Sequence, residues 1–145
     1  MSELLRVEHL MKYFETPRGQ LHAVDDVTFG IEEGTTMGVV GESGCGKSTL
    51  GRTIIHLHES TAGQIIFDGK DVTKIKPREL EWLREQMQII FQDPFSSLNP
   101  RFTVEDTLKE VLIRSGTATR KTLDQEIVRL MDLVGISGRL RMAYP

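Results

Sequence analysis

A glycine-rich segment constrains the fold of this chain more than any other feature. It reads GESGCGKST over residues 41–49 and follows an apolar run over residues 37–40. The spacing fits G-x-x-x-x-G-K-[ST], in which glycines let the backbone wrap closely around an anion. Successive N–H groups then point inward, and the following helix adds the partial positive charge of its N-terminus. We therefore predict a phosphate-binding loop between a strand and a helix.

Two side chains of this loop are expected to carry its chemistry. The Lys47 ammonium would reach the β- and γ-phosphates of a nucleotide, and the Ser48 hydroxyl would ligate Mg²⁺. The remaining predicted phosphate contacts are Gly41, Ser43, Gly44, Cys45, Gly46 and Thr49. For Cys45 we favour a small residue that contributes only its N–H group over a catalytic thiol. The alternative to the whole prediction is a glycine-rich turn with a solvated lysine.

Composition limits the class of protein. With 145 residues, 39% of them hydrophobic and 27% charged, the chain is one soluble globular domain at most. Its net charge of −3, from 18 basic and 21 acidic residues without a like-charge block, argues against binding nucleic acid. A single cysteine excludes an internal disulfide, and neither a signal peptide nor a membrane-spanning run is present. We expect a cytosolic protein that meets the membrane only through a partner.

Periodicity and turn residues predict an α/β core followed by a helical stretch. Strands are predicted over residues 4–10, 27–31, 36–40, 63–67 and 87–91. Helices are predicted from Lys47 to about Leu57, from Pro77, from an N-cap at Thr103 with Asp106 at the third position, and over residues 120–134 with Gly135 as C-cap. The four histidines, His9, His22, His56 and His58, have no metal-like spacing.

A second motif follows the predicted strand over residues 87–91. It reads FQDPFSSLNP over residues 91–100. A glutamine at the end of a buried strand beside the phosphate loop can place the Gln92 amide oxygen near Mg²⁺ or an attacking water. Its loop, held by two prolines, would respond to the presence of the γ-phosphate. The alternative for Gln92 is a surface residue at a strand end.

Together these motifs resemble the ATP-binding subunits of ABC transporters, most closely those of bacterial dipeptide and oligopeptide importers. Residues 41–52 resemble the Walker A region of that subfamily, residues 91–101 its Q-loop and residues 23–29 its second strand. The resemblance covers essentially the whole chain. It implies a P-loop NTPase core with an antiparallel β subdomain and the start of a helical subdomain, truncated, with the α/β core in 1–92 and the helical part in 93–145.

The resemblance also implies ligands and partners. ATP and Mg²⁺ are the expected cofactors, with Ser48 and Gln92 at the metal. An aromatic residue before the second strand stacks on adenine in this family, and we favour Phe14 over Tyr13, with a core aromatic as the alternative. Expected partners are transmembrane permease subunits, met by the helical lobe around Phe95 and Leu98, and a second nucleotide-binding subunit. The subunit would lie on the inner face of the plasma membrane without inserting into it.

The family pattern also contains elements that these 145 residues lack. They are the L-S-G-G-Q motif, the Walker B strand, the catalytic glutamate and the switch histidine. We therefore expect half of an ATP site and an unpaired sheet edge, so that the chain is poorly stable or associates. Two alternatives stay open: a truncated fragment that binds nucleotide without hydrolysing it, and a small P-loop kinase or GTPase. The transported solute stays open between dipeptides, longer peptides and nickel.

Overall fold

The structure is a computed structural model that describes residues 3–93 and 97–145. The chain divides into two compact units, Met1–Ile89 and Ile90–Pro145. Each unit has a hydrophobic core of its own. None of the helices in the described part of the chain combines the length and the apolar composition that a bilayer crossing requires.

An antiparallel sheet of four strands forms the framework of the first unit. Its strands, in the spatial order β2-β1-β3-β4, are β1 Glu3–Thr16, β2 Gly19–Glu32, β3 Ala62–Phe67 and β4 Lys70–Asp71. A tight turn at Asp68 and Gly69 joins β3 to β4. Both turn residues have left-handed φ angles, 48° and 71°, which favour short polar residues and glycine. The predicted strand over residues 63–67 is thus followed by the two-residue β4, which was not predicted.

The structure confirms the predicted strands over 4–10, 27–31 and 63–67 but extends two of them. β1 and β2 are 14 residues each and form one long hairpin. The hairpin arms near the turn, such as residues 19–22, are exposed on both faces. Side chains in an arm that buries neither face do not alternate between apolar and polar, so periodicity does not detect it.

Helices pack on this sheet to form the first core. α1 spans Lys47–Ile54 and α2 spans Pro77–Gln86. The buried apolar residues of this core are Leu5, Val7, Leu10, Ile54, Ile65, Phe67, Val72 and Leu83. The start of α1 and the Pro77 start of α2 are confirmed. α1 ends three residues earlier than predicted, where His56 takes a left-handed φ of 59° and Leu57 N–H donates to the Arg52 carbonyl.

Two predicted strands are wrong. Residues 36–40 and 87–91 have no regular secondary structure, although their sequences are apolar. Val40 is 96% exposed and Ile90 is 98% exposed. A strand forms only with a hydrogen-bonded neighbour, and within residues 3–93 and 97–145 neither segment pairs with another. The apolar pattern was identified correctly, but it carries no information on whether a partner strand is present.

Two 11-residue α-helices lie in the part of the second unit that the structure describes. α3 spans Val104–Arg114 and α4 spans Leu123–Leu133, followed by a 3₁₀ helix over Gly138–Leu140. Their shared core is Leu112, Ile127 and Met131. Arg141 donates hydrogen bonds to Glu105 at the start of α3 and to Asp124 at the start of α4. These two ion pairs tie the beginnings of both helices to the end of the chain.

The predicted helix ends of this unit are largely confirmed. Thr103 and Asp106 form a capping box, in which each side chain accepts a hydrogen bond from the other residue's backbone N–H. Gly135 has a φ of 71°; its N–H donates to the Asp132 carbonyl, and the N–H of Ile136 donates to that of Met131. This is the Schellman pattern, with the glycine one residue beyond the C-cap. The start of α4 falls three residues later than predicted.

Candidate phosphate-binding site

The predicted loop forms a cradle at the N-terminus of α1. Gly44 and Gly46 have left-handed φ angles of 83° and 98°, and Gly46 is the N-cap residue of α1. A Cβ atom at Gly46 would lie 2.0 Å from the Ala23 carbonyl oxygen, so only glycine fits there. Among the described residues, no side chain caps the first turn of α1, and this turn carries no acidic residue. Its N–H groups and its dipole therefore remain available to an anion.

An irregularity of the hairpin brings β2 to this loop. The register of β1 and β2 shifts between Lys12, which lies opposite Val24, and Tyr13, which lies opposite His22. Ala23 is the extra residue of this bulge, and its carbonyl meets Gly46. Bulges commonly re-aim backbone groups next to functional sites. Here the bulge sets the contact between the sheet and the loop.

Lys47 spans the loop with its side chain. Its Nζ donates hydrogen bonds to the carbonyl oxygens of Gly41 and Glu42, at 2.7 Å and 2.6 Å. The Cys45 thiol lies 3.6 Å from the same ammonium, and a Cβ atom at Gly41 would lie 2.7 Å from its sulfur. Carbonyl oxygens position the cation without neutralising it, so its charge is available to an anionic ligand.

A cavity of about 330 Å³ opens in front of the loop. Residues 44–49 form one part of its lining. The other part consists of Phe14 of β1 and of the β2 residues Leu21, His22 and Ala23. Lys47 and the exposed Ser48 are therefore in one cavity with Phe14. The lining thus combines cationic, hydroxyl and N–H groups with an aromatic ring, and these match the two chemical parts of a nucleotide.

Tyr13 is engaged elsewhere. Its ring stacks on that of His22, with centroids 3.8 Å apart and an interplanar angle of 14°. Its hydroxyl donates to the Asp25 carboxylate, and this hydrogen bond raises the pKa of Tyr13 and lowers the pKa of Asp25. Tyr13 is not among the residues that line the cavity. The structure thus brings Phe14, and not Tyr13, to the loop.

The second predicted motif, over residues 91–100, lies partly outside the residues that the structure describes. Gln92 is exposed, lies in a bend and belongs to the second unit. The Ser97 hydroxyl donates to the Asp93 carbonyl at 2.6 Å, and Leu98 is exposed. Phe95 falls outside the described residues. The assignment of Ser48 and Gln92 to one Mg²⁺ stays a prediction, and the described residues contain no group of three histidine, cysteine or acidic side chains suited to a metal.

Sequence reasoning missed several residues of the site. Ala23 meets the loop through its backbone, and Leu21 and His22 line the cavity. Lys12 and His58 contact the ring of Phe14. The contact of Ala23 with the loop and the position of Leu21 in the lining depend on the hairpin register and its bulge, which side-chain periodicity does not encode. The Lys-x-aromatic spacing of Lys12 and Phe14 on one strand face was the only signal in the sequence for a cation beside the ring.

Sequence comparison identifies relatives of this chain. The profile of the family described as "ABC transporter" matches residues 24–143. The oligopeptide transport ATP-binding protein OppF of Bacillus subtilis is 48% identical over 147 residues, which cover 99% of this chain and 48% of that protein. A putative peptide import ATP-binding protein of Brucella ovis is 48% identical over 119 residues, which cover 82% of this chain and 38% of that protein. The chain thus spans about half the length, or less, of these curated relatives.

Comparison with solved structures addresses the fold. The ATP-binding cassette MJ0796, in a dimeric post-hydrolysis state bound to ADP and Pi, superimposes with a TM-score of 0.79 at 22% identity, over 98% of this chain and 62% of that one. The cbiO1 protein from Clostridium perfringens gives a TM-score of 0.70 at 24% identity, over 99% and 55%. These likenesses confirm the predicted α/β fold of a nucleotide-binding cassette. From the matched profile and the fold together, the chain belongs to the ABC transporter family.

Proposed function

We propose that this chain is the phosphate-binding part of an ATP-binding subunit of a peptide importer. The observation that carries the proposal is the single cavity that joins the Lys47 loop to the ring of Phe14. The names of the relatives, oligopeptide transport and peptide import ATP-binding proteins, support a peptide as the solute. The ligand is ATP with Mg²⁺, because the loop supplies groups for a triphosphate and the ring supplies a surface for a base.

Each residue of the site has a defined task in this proposal. Lys47 neutralises charge on the β- and γ-phosphates, and the N–H groups of residues 44–49 donate hydrogen bonds to phosphate oxygens. The Ser48 hydroxyl ligates Mg²⁺, with the Gln92 amide as the second protein contact. Mg²⁺ would withdraw charge from the phosphates when bound. Phe14 stacks on adenine, and the engagement of Tyr13 with His22 supports this choice.

We also propose the partners and the domain division that the relatives suggest. Residues 1–92 supply the α/β core and residues 93–145 the start of a helical part that meets transmembrane permease subunits. A second nucleotide-binding subunit completes the ATP site, and the assembly places the chain on the inner face of the plasma membrane. None of the described residues that line the cavity carries a carboxylate, so we expect the chain to bind ATP without turnover.

Calorimetric titration of the 145-residue chain with Mg-ATP tests this function. Substitution Lys47→Ala should weaken binding by at least about tenfold, because it removes charge-assisted hydrogen bonds to the phosphates. Lys121→Ala, which removes an exposed lysine of the second unit, is the matched control and should bind as the wild type does. A wild-type chain that does not bind ATP, or equal binding by the Lys47→Ala variant, would contradict the proposal.

A further inference from the structure

The ring of Phe14 is held by two side chains that the proposed function does not use. The Lys12 ammonium lies over the ring, with Nζ 4.7 Å from the ring centroid. The imidazole of His58, just beyond α1, meets the ring at 88° with centroids 5.4 Å apart. The ammonium lies on one face of the ring, and the perpendicular imidazole adds a second contact. Both contacts restrict the orientation of the Phe14 ring.

The backbone places Lys12 and Phe14 on the cavity side of the hairpin. Residues two apart on a strand share a face, so Lys12 and Phe14 point the same way from β1. Phe14 lies opposite Leu21 of β2, and Leu21 lines the cavity. Tyr13, between them, does not line the cavity; its ring stacks on that of His22, which does. Of the two neighbouring aromatic residues of β1, the cation therefore lies over the one that lines the cavity with the phosphate loop.

We infer that Lys12 is a positioning residue for nucleobase stacking, acting through the ring of Phe14; this inference rests on the proposed function. An ammonium over an aromatic face is attracted by the ring quadrupole, and it restricts the rotation of the Phe14 side chain. A ring that already has its bound orientation loses less entropy when a base stacks on it. Lys12 therefore raises affinity for the base of the nucleotide and leaves affinity for the phosphates unchanged.

Replacement of the cation tests the inference by calorimetry on the 145-residue chain. Lys12→Met keeps the length of the side chain and should weaken Mg-ATP binding by about threefold, the size of an exposed cation–π contact. Binding of inorganic tripolyphosphate, which has no base, should not change. Lys12→Arg keeps a cation over the ring and should restore ATP affinity. Lys70, whose Nζ lies 4.8 Å from the centroid of Trp82 outside the cavity, supplies the matched control Lys70→Met, which should bind ATP as the wild type does.

Variants made in a chain that lacks the Phe14 ring distinguish an effect through this ring from a general effect of the Lys12 charge. In a Phe14→Leu variant, Lys12→Met should have no further effect on ATP affinity, because the ring through which Lys12 acts is gone. Equal losses for ATP and tripolyphosphate would overturn the inference, since Lys12 would then be a phosphate contact. Unchanged ATP binding by Lys12→Met, beside a loss in Lys47→Ala, would also overturn it while leaving the proposed function intact. A wild-type chain that binds no ATP would contradict both the proposed function and the inference about Lys12.

Discussion

Gly46 is the residue on which the cradle depends most. It combines a φ of 98° with a backbone contact to Ala23 that leaves no room for a Cβ atom. Gly46→Ala should destabilise the fold by about 1–3 kcal/mol, because an alanine there is strained by the left-handed φ angle and by the contact of its Cβ atom with Ala23. It should also abolish detectable ATP binding. Thermal unfolding and calorimetry measure the two effects.

Gly51 supplies the control for this change. It lies within the same helix α1, and a Cβ atom there meets nothing within 4 Å. Gly51→Ala should raise the free energy of unfolding by up to about 1 kcal/mol, the difference in helix propensity. Equal stability and equal ATP binding in Gly46→Ala and Gly51→Ala would show that the cradle geometry is not as described.

His56 makes stability depend on pH. Burial lowers the pKa of its imidazole from the ordinary 6.5, with Glu59 and the Val72 backbone opposing this shift. Its Nε2 is buried and has no hydrogen-bond partner within residues 3–93 and 97–145. The unfolded chain therefore binds this proton more readily than the folded one, and the free energy of unfolding should fall as pH drops below about 6.5.

The variant His56→Asn tests this dependence. Asparagine tolerates the left-handed φ of 59° at this position and does not titrate. Denaturant unfolding between pH 7.5 and 5.5 should show a smaller loss of stability in the variant than in the wild type. This range lies above the range in which the carboxylates with lowered pKa values, such as Asp71 and Glu105, become protonated. Identical pH profiles for both proteins would refute the role of His56.

At the scale of elements, the sequence predicted the helix ends, which depend on residues close to one another in the chain. The capping box of α3 and the glycine beyond α4 involve residues within one or two turns, and both occur as expected. Strands depend on partners distant in sequence, so residues 36–40 and 87–91 were assigned wrongly although their apolar character was recognised. The same distinction holds for the site, where the loop was predicted but the β2 contact through Ala23 was not.

The capping box of α3 is a quantitative test of local encoding. Thr103 is buried, its Oγ1 accepts from the Asp106 N–H at 3.1 Å, and its contacts lower the pKa of Asp106. Thr103→Ala should lower the free energy of unfolding by about 1–2 kcal/mol. Thr103→Ser keeps the hydroxyl and should lose clearly less. Equal losses in both variants, measured by denaturant unfolding, would assign the effect to the lost methyl group instead of the cap.

At the scale of the whole molecule, exposed apolar segments predict association. Val40 and Ile90 are almost fully exposed, in segments that pair with no strand among the residues that the structure describes. Such segments tend to pair with other chains. The 145-residue chain should sediment as a concentration-dependent mixture, and the double variant Val40→Thr with Ile90→Thr should shift it toward monomer. Val111→Thr, on the exposed face of α3, should leave the distribution unchanged. A monodisperse wild-type monomer at all concentrations would refute this prediction.

The central claim concerns one cavity that takes the triphosphate of ATP at the Lys47 loop and its base at Phe14. Amide NMR spectra of the ¹⁵N-labelled chain, titrated with Mg-ATP, test this claim most directly. We predict saturable shifts of the amide signals of residues 44–49 and of Phe14, with helices α3 and α4 unaffected. In the Lys47→Ala variant the same shifts should need a concentration of Mg-ATP at least about tenfold higher. Saturable ATP binding that leaves the amides of residues 44–49 unshifted would contradict the account.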